Sequence, residues 1–225
     1  MGFEIRESRE VTDEYKNFDA VNVPKNHPAR DTQDTFWIEG AGNVLATQTS
    51  SMQNEIFHEH ARADGTLTAP IRIVIPGRVF RNEDIDATHE NTFYQVEGIV
   101  VGEGISFANM KYTIRTMLSD IAGKEVKIRL RPSFYPFVEP GADVDFSCPF
   151  CDGVGCKICK KTGWIEFMGC GMIHPNVLRE GGIDPVRYTG FAFGFGLNRL
   201  AMIKYGITDM RYFQNPDVDF LKQFS

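Results

Sequence analysis

The sequence lacks the features that would indicate a membrane protein, an exported protein or a generally basic nucleic-acid coat. No apolar run approaches the roughly 20 residues that a helix needs to span a bilayer. The first residues, MGFEIRESRE, show no charged region followed by an apolar one, so no secretory signal is indicated. We therefore expect a cytoplasmic protein. The net charge of −6 still leaves room for a local basic face or a basic partner subunit.

Tryptophan is scarce, with 2 residues, whereas phenylalanine is abundant, with 18 among 225 residues. Most phenylalanines are expected in the core. The hydrophobic content of 42% and the charged content of 24% are ordinary for a globular protein. The length suffices for one large domain, or for one domain with a small insert.

Disulfide bonds are not indicated either, because four of the five cysteines are crowded into CPFCDGVGCKIC. Their spacing is C-x2-C-x4-C-x2-C, and two close pairs joined by a glycine-containing linker can converge tetrahedrally on one zinc ion. Four sulfur ligands leave no open position, so the zinc would be structural. A thiol–disulfide pair or inert thiols are the alternative. We predict an insert at 146–164 with the ligands Cys148, Cys151, Cys156 and Cys159.

The apolar patterns predict strands that are joined by turns as often as by helices. IRIVIPGRVF is typical of a buried strand, interrupted at Pro76 and Gly77, and TFYQVEGIVVG of the next strand, antiparallel to it. A helix is predicted from Ser106, its N-cap, to Gly123, where it ends. This order favours an α+β fold with an antiparallel sheet flanked by helices over a doubly wound parallel sheet.

The stretch RVFRNEDIDATHENTFYQVEG combines arginines, acids, a histidine and aromatics on two predicted strands and their loop. The guanidinium of Arg81 can bind a phosphate through two hydrogen bonds, and Phe93 offers a ring face to a base. Gln95 and Glu97 are two residues apart in a strand, so they share a face and could receive an ammonium group. A solvated charged hairpin is the alternative.

Two further segments could complete a pocket. In GFAFGFGLNRL small and aromatic residues alternate, which leaves one strand face bare for a ligand, and Arg199 follows at the start of a helix. In SFYPFVEP, Tyr135 and Phe137 flank a proline and would point the same way, where they could line an aromatic-sized pocket. Ordinary core packing is the alternative for both segments.

One family shares these motifs in this order. The chain resembles the catalytic core of the phenylalanyl-tRNA synthetase α subunits, which are class II aminoacyl-tRNA synthetases, over nearly all of residues 1–225. The resemblance rests on NFDAVNVPKNHPARDTQDTFWI, PGRVFRNEDIDATHENTFYQVEG, RPSFYPFVEPGADVD, GMIHPNVLREGGIDP and GFAFGFGLNRLAMIKYGITDMRYF. It implies that ATP and phenylalanine, with Mg²⁺, give phenylalanyl-adenylate and pyrophosphate, and that the aminoacyl group then passes to tRNA-Phe. It also implies a synthetase β subunit as partner, or a homodimer through the class II core.

The resemblance further implies roles for individual residues. Arg81 is expected at the α-phosphate and Arg199 near the γ-phosphate, as the two catalytic arginines. The other ATP contacts are expected from Glu83, His89 and Phe93. The residues expected to bind the amino acid are Gln48, Ser50, Gln95, Glu97, Tyr135, Phe137, Ala192 and Gly194. Some members of the family also carry a cysteine insert as a zinc knuckle.

The chain departs from the family pattern in four respects. Gln48 stands where a histidine is usual, and an amide cannot carry charge. Asn198 stands where an acid usually precedes the motif 3 arginine. Tyr135 replaces a phenylalanine, and its hydroxyl could shift the side-chain preference. The N-terminal coiled-coil arm that contacts tRNA in the family is absent from the sequence.

These departures leave three functions open. The first is a working synthetase core that needs a β subunit. The second is a paralogue that activates an aromatic or related amino acid for an acceptor other than tRNA, an alternative that the absent arm supports. The third is a non-catalytic binding or regulatory relative. The third is disfavoured because the chain retains Arg81, Glu83, Phe93, Gln95, Glu97 and Arg199.

Overall fold

The computed structural model describes residues 1–31, 34–40, 42–82, 90–207, 209–214 and 217–224. The strands in this part of the chain are β1 (Glu4–Ile5), β2 (Val11–Asp13), β3 (Trp37–Ile38), β4 (Asn43–Leu45), β5 (Ile71–Phe80), β6 (Thr92–Gly102), β7 (Ile128–Pro132), β8 (Val138–Ser147), β9 (Trp164–Ile173) and β10 (Thr189–Gly196). The α-helices are α1 (Gln53–His60), α2 (Phe107–Ala122), α3 (Pro175–Glu180), α4 (Leu197–Tyr205) and α5 (Val218–Leu221). None of the helices in these residues has the length and apolar character that a bilayer crossing requires.

A seven-stranded sheet forms the centre of the molecule, in the order β1-β5-β6-β10-β9-β8-β7. Six neighbouring strands of this sheet pair antiparallel, as the sequence predicts, in the order β5-β6-β10-β9-β8-β7. The edge strand β1 runs parallel to β5, so the sheet as a whole is mixed. The sequence does not indicate β1, because two residues are too few to show an alternating pattern. A small second sheet joins β2, β4 and β3.

Helices cover both faces of the large sheet. On one face α2 packs its buried Met110, Ile114 and Leu118 into a core cluster that includes Phe146 and Phe191. On the other face α1 and α3 pack against the isoleucines of β5 and β6 in a second cluster. The α+β class predicted from the sequence is thus confirmed, with an apolar core on each side of the sheet.

Strand β5 continues through Pro76 and Gly77, so the predicted interruption there is wrong. The carbonyl oxygen of Pro76 accepts a hydrogen bond from the backbone N–H of Ser8 at 3.4 Å. Because the nitrogen and carbonyl of one strand residue point to the same side, the missing N–H of Pro76 faces away from β6 and breaks no bond of that ladder. Gly77 lets the segment around Ser8 approach closely, since a Cβ on this glycine would overlap the serine side chain.

Helix α2 begins and ends where the sequence predicts. The Ser106 hydroxyl accepts a hydrogen bond from Asn109 N, and the Asn109 side chain accepts one from Ser106 N, which satisfies two of the free amides of the first turn. Gly123 follows the last turn with φ of 67°, a conformation that glycine adopts without strain.

Strand β8 is not recognisable from the sequence, since EPGADVD contains a Pro-Gly pair that is typical of a turn. The structure accommodates this pair as an irregularity in the pairing with β9, between Val138 and Gly141. Beyond it, β8 continues to Ser147 as a partner of β9, with a second irregularity between Val144 and Asp145. The irregularity is therefore what allows a strand to contain these residues.

Phe193 of β10 packs its ring across Gly98, its cross-strand partner on β6. A Cβ at Gly98 would lie well inside van der Waals distance of the ring. The ring is buried and also contacts Phe3 and Phe191, so it has little freedom to move away. Glycine is therefore required at 98 by packing.

We expect Gly98→Ala to lower the free energy of unfolding by about 1–3 kcal/mol, because the added methyl group overpacks the core. Urea denaturation measures the change. Gly102→Ala, at the end of the same strand, is the matched control, since a Cβ there would meet Ile105 and Pro70 at ordinary distances of 3.6 and 3.7 Å. Equal stability of the two variants would contradict the packing account.

Candidate active site

A cavity of about 330 Å³ opens over β6, β10 and β9, next to the aromatic segment that precedes β8. It brings together every described residue to which the sequence assigned ATP or amino-acid binding. These residues are Gln48, Ser50, Arg81, Phe93, Gln95, Glu97, Tyr135, Phe137, Ala192, Gly194 and Arg199. The other two, Glu83 and His89, lie outside the described residues. Segments far apart in the chain thus contribute to one site.

The floor of the cavity contains a row of four residues on adjacent strands. Glu97 of β6 pairs with Gly194 of β10. Gly194 pairs in turn with Gly169 of β9, and Gly169 pairs with Asp143 of β8. Directly opposed residues share a face of the sheet, so the row has a carboxylate at each end and no side chains between. Its ends are three strand spacings apart, about 14 Å.

Glu97 is a buried carboxylate with 2% of its surface exposed. It accepts hydrogen bonds from Gln53 Nε2 and from Thr49 Oγ1, the latter at 3.1 Å. Burial raises the pKa of Glu97 above the ordinary value, and hydrogen bonds from the Gln53, Ser50 and Thr49 side chains oppose that rise. A cation placed beside this carboxylate would therefore relieve an unfavourable burial of charge.

Arg81 and Phe93 lie side by side at another part of the cavity. The Arg81 guanidinium carbon is 5.1 Å from the centre of the Phe93 ring. The two residues are held together by the β5–β6 hairpin, in which Arg81 N donates a hydrogen bond to Asn91 O at 2.9 Å. Arg199 lies exposed in the first turn of α4 and lines the same cavity. The arrangement offers a cation and an aromatic face together.

Gln48 and Asn198, two amides that depart from the family pattern, form hydrogen bonds with backbone groups. Asn198 is buried, and its side-chain oxygen accepts a hydrogen bond from Tyr94 N at 2.7 Å. The Gln48 side chain donates to Asn17 O at 3.2 Å, which anchors it to the segment Tyr15–Asp19. Neither bond requires a charged group, so an amide suffices at both positions.

Tyr135 and Phe137 do point the same way, as the sequence predicts, with stacked rings whose centres are 5.7 Å apart. The Tyr135 hydroxyl donates a hydrogen bond to Asp143 Oδ1 at 2.6 Å. Burial and this bond raise the pKa of Tyr135 to about 12. The phenol is therefore neutral at physiological pH, and its proton is committed to Asp143.

Sequence reasoning missed several residues of the site. Gln53 and Thr49 hold Glu97, and Asp143 and Gly169 complete the row. The polar TQTSSMQNE segment signals that polar side chains enter the core here, but the pattern alone does not say which of them face Glu97. The sequence does not single out Asp143, because the strand that contains it, β8, is not recognisable from its residues.

The four clustered cysteines lie in the connection between β8 and β9, and their sulfur atoms all lie within 4.8 Å of one another. Cys148 and Cys156 are 3.7 Å apart, and Cys151 and Cys159 are 3.8 Å apart. A tetrahedron with zinc–sulfur bonds of about 2.3 Å has edges of about 3.8 Å. The sulfur positions therefore fit one tetrahedral ion.

Backbone amides favour the thiolate at two of these cysteines, whereas desolvation raises the pKa of Cys148 to about 12. Gly155 N donates to Cys151 Sγ at 3.2 Å and Gly163 N to Cys159 Sγ at 3.3 Å. Desolvation raises the pKa of Cys159, but amide hydrogen bonds from Cys156 and Gly163 outweigh it and lower the pKa to about 6. Metal binding needs deprotonated sulfur, which these amides favour.

The raised pKa of Glu97 leads to a prediction about how the free energy of unfolding depends on pH. Folded Glu97 resists ionisation, whereas the unfolded residue ionises near its ordinary value of 4.5. The contribution of protonated Glu97 to the free energy of unfolding is complete below that pH, and it is lost as the pH rises through the raised pKa. We expect Glu97→Gln to gain stability relative to the natural protein as the pH increases from 4 upward, in urea denaturation at a series of pH values.

The substitution also suits the local hydrogen bonds. Gln53 Oε1 is buried without a partner among the described residues, so a turned Gln53 amide could accept from the new amide at 97. Glu166→Gln, an exposed carboxylate at the cavity rim, is the control and should leave the pH profile as it was. If the stability difference between Glu97→Gln and the natural protein stays constant with pH, the carboxylate is not strained by burial.

Comparisons with known proteins concern the chain as a whole. The family model of the tRNA synthetase class II core domain (F) matches residues 1–224. The curated phenylalanine–tRNA ligase alpha subunit of Leptospira biflexa is 53% identical over 224 residues, which are 100% of this chain and 63% of that protein. The Listeria welshimeri alpha subunit is 50% identical over the same shares. The chain thus spans just under two thirds of the length of these relatives.

Solved structures agree at the level of the fold. A pyrrolysyl-tRNA synthetase of Desulfitobacterium hafniense superimposes with a TM-score of 0.63 at 19% identity, over 93% of this chain and 66% of that one. A second structure from the same organism gives 0.64 at 20% identity over the same shares. At such identities the likeness concerns the fold alone. Together with the match over residues 1–224, it shows that the chain belongs to the family of class II tRNA synthetase core domains.

Proposed function

We propose that the chain is the catalytic core of a phenylalanine–tRNA ligase α subunit acting in the cytoplasm. Residues 1–225 form one catalytic domain, and 146–164 are its zinc-binding insert. The core activates phenylalanine with ATP and passes the aminoacyl group to tRNA-Phe. The observation that carries this proposal is the bare row from Glu97 to Asp143, in a cavity that the Arg81 guanidinium and two stacked aromatic rings also line.

The amino group of the substrate binds at Glu97. An ammonium beside this buried carboxylate lowers its pKa again and so recovers the cost of burying its charge. Gln95 lies on the same face of β6, two residues away, and Ser50 and Gln48 border the same end of the cavity. These polar groups orient the amino acid so that its carboxylate faces the nucleotide.

The side chain of the substrate lies over the bare strands. Ala192 and Gly194 leave space above β10, and the Tyr135 and Phe137 rings stand at the far side. Aromatic rings pack favourably edge-to-face or offset against a phenyl group. The cavity therefore suits an apolar aromatic side chain better than a charged or a long polar one.

ATP binds beside Phe93, with its base on the ring. Arg81, whose guanidinium lies 5.1 Å from the centre of that ring, binds the α-phosphate in this proposal. Arg199, in the first turn of α4, binds the γ-phosphate in this proposal. Glu83 and His89, which lie between β5 and β6 in the sequence and outside the described residues, complete the ATP contacts in this proposal. Mg²⁺ supplies further neutralisation of the phosphate charge when it is bound.

The chemical step is a displacement at the α-phosphorus. An oxygen of the amino-acid carboxylate forms a bond to phosphorus while the bond to the pyrophosphate oxygen breaks. Arg81 stabilises the negative charge that develops on the α-phosphate oxygens, and Glu97 holds the attacking molecule in line. A tRNA hydroxyl then displaces AMP from the adenylate.

The curated relatives are named alpha subunits, and on that basis we propose a synthetase β subunit as partner in a hetero-oligomer. A homodimer through the class II core is the second arrangement. With a net charge of −6, this chain would leave much of the tRNA backbone contact to other parts of the assembly.

We further propose that the cysteine cluster holds a structural zinc ion through Cys148, Cys151, Cys156 and Cys159. The sulfur–sulfur distances and the amide hydrogen bonds to sulfur support this assignment. Cys148 and Cys159 belong to the same apolar core as β8 and β9. The ion would therefore stabilise the end of this hairpin.

The catalytic assignment predicts that Arg81→Ala abolishes amino-acid-dependent ATP–pyrophosphate exchange, with a loss of about 100-fold or more. Arg81→Lys keeps the charge but not the two-pronged geometry, so we expect an intermediate loss. Circular dichroism controls for folding. A folded Arg81→Ala protein with full exchange activity, measured together with its β subunit, would rule out the phosphate role.

The zinc assignment predicts one zinc ion per chain in the purified protein, measured by elemental analysis. Cys151→Ser should lower the zinc content and the melting temperature, because the remaining three sulfurs bind the ion less tightly. Cys170→Ser, which alters a buried cysteine outside the cluster, should retain zinc. Natural protein without zinc, prepared without chelators, would contradict the assignment.

A further inference from the structure

We propose that the Tyr135 hydroxyl, held by Asp143 above Gly169, closes the far end of the amino-acid side-chain pocket and determines which para-substituents the pocket accepts. The inference rests on the proposed function, because it concerns the ligand of the same cavity. Tyr135 is then a specificity-determining residue, and Asp143 is a positioning residue that acts through it.

The first step is the location of the hydroxyl. A Cβ on Gly169 would lie 2.9 Å from both the ring carbon Cζ and the hydroxyl oxygen of Tyr135. The phenol end therefore rests on the backbone of β9. By contrast, a Cβ on Gly194 would come close to only one side-chain atom, Gln95 Nε2 at 3.2 Å. The row is open at Gly194 and closed at Gly169.

The second step is the direction of the ligand. An amino acid whose ammonium contacts Glu97 extends its side chain along the row, over Gly194 and toward β9. Gly169 is two strand spacings from Glu97, about 10 Å. The Tyr135 hydroxyl therefore faces the tip of an aromatic side chain, where a para-substituent would be.

The third step is the rigidity of the hydroxyl. Its bond to Asp143 is 2.6 Å long, as expected for a hydroxyl that donates to a carboxylate. Stacking against Phe137 restricts the ring. With its pKa raised to about 12, the phenol keeps its proton and commits it to Asp143. The Tyr135 hydroxyl therefore limits the length of the pocket sterically, and it does not donate a hydrogen bond to a ligand.

The consequence differs between substrates. The para position of phenylalanine carries only hydrogen, so a bound phenylalanine contacts the Tyr135 hydroxyl without a clash and without an unsatisfied polar group. The hydroxyl of tyrosine would need both the space of the Tyr135 hydroxyl and the same acceptor on Asp143. Removal of the Tyr135 hydroxyl leaves that space and acceptor free, so the hydroxyl of a bound tyrosine could take over both.

The test is Tyr135→Phe in the protein that carries this chain, purified with its β subunit. Amino-acid-dependent pyrophosphate exchange is measured with phenylalanine, tyrosine and para-chlorophenylalanine. We expect the ratio of kcat/KM for tyrosine to kcat/KM for phenylalanine to rise about 10- to 100-fold, the worth of a hydrogen bond to a charged group. Para-chlorophenylalanine should gain less, because chlorine cannot donate a hydrogen bond to Asp143.

A double variant, Tyr135→Phe with Asp143→Asn, separates space from hydrogen bonding. It keeps the enlarged space but replaces the anionic acceptor with a neutral one, so most of the gain for tyrosine should disappear. An unchanged ratio of tyrosine to phenylalanine in Tyr135→Phe would overturn the proposal. A gain for tyrosine that persists in full in the double variant would overturn the role of Asp143.

Failure of the proposed function gives a different result. It would show as no exchange by the natural protein with any amino acid. Calorimetric binding of the same three amino acids then decides the pocket proposal. A rise in the affinity ratio of tyrosine to phenylalanine in Tyr135→Phe supports it, and an unchanged ratio, or no binding of either amino acid, overturns it.

Discussion

The site depends on the register with which β6, β10, β9 and β8 pair. Side chains alternate along a strand, so a slip by one residue would turn every side chain to the opposite face. The observed register puts Glu97, two glycines and Asp143 in line on one face. It also puts the phenylalanines of β10 on the other face, in the core. One set of backbone hydrogen bonds thus forms both the cavity and the apolar interior beneath it.

The sequence predicts those parts of the site that local patterns encode. The alternation in FYQVE and GFAFGFG indicates which residues share a face, and the aromatics that flank Pro136 indicate a common direction. Cross-strand neighbours are not encoded locally, so Gly169 and Asp143 are found only when the register is known. The Pro-Gly pair in β8 hides that strand, because the irregular pairing that accommodates it depends on β9. The α+β class survives these omissions, since most strands of the large sheet have eight or more residues.

The amides at two unusual positions illustrate a limit of motif comparison. From the sequence, Gln48 and Asn198 look like lost charges. In the structure the Asn198 oxygen satisfies Tyr94 N, and the Gln48 amide donates to Asn17 O. Whether a position needs a charge or only a hydrogen-bonding atom depends on its partner, and a motif does not record the partner. Replacement by an amide is mild where the partner is a backbone group.

The connection between β8 and β9 has a consequence for accuracy at the other end of the hairpin. The two strands have irregular pairing at two places, so an unbroken ladder does not align them. Alignment is re-established at the connection, where Ser147 pairs with Trp164 and Cys148 N donates to Gly163 O at 2.9 Å. The cysteine-bearing loop thus fixes the register at its own end of the hairpin, one irregularity away from the pair Asp143 and Gly169. Residues that contact no ligand therefore contribute to the alignment of the two strands that line the cavity.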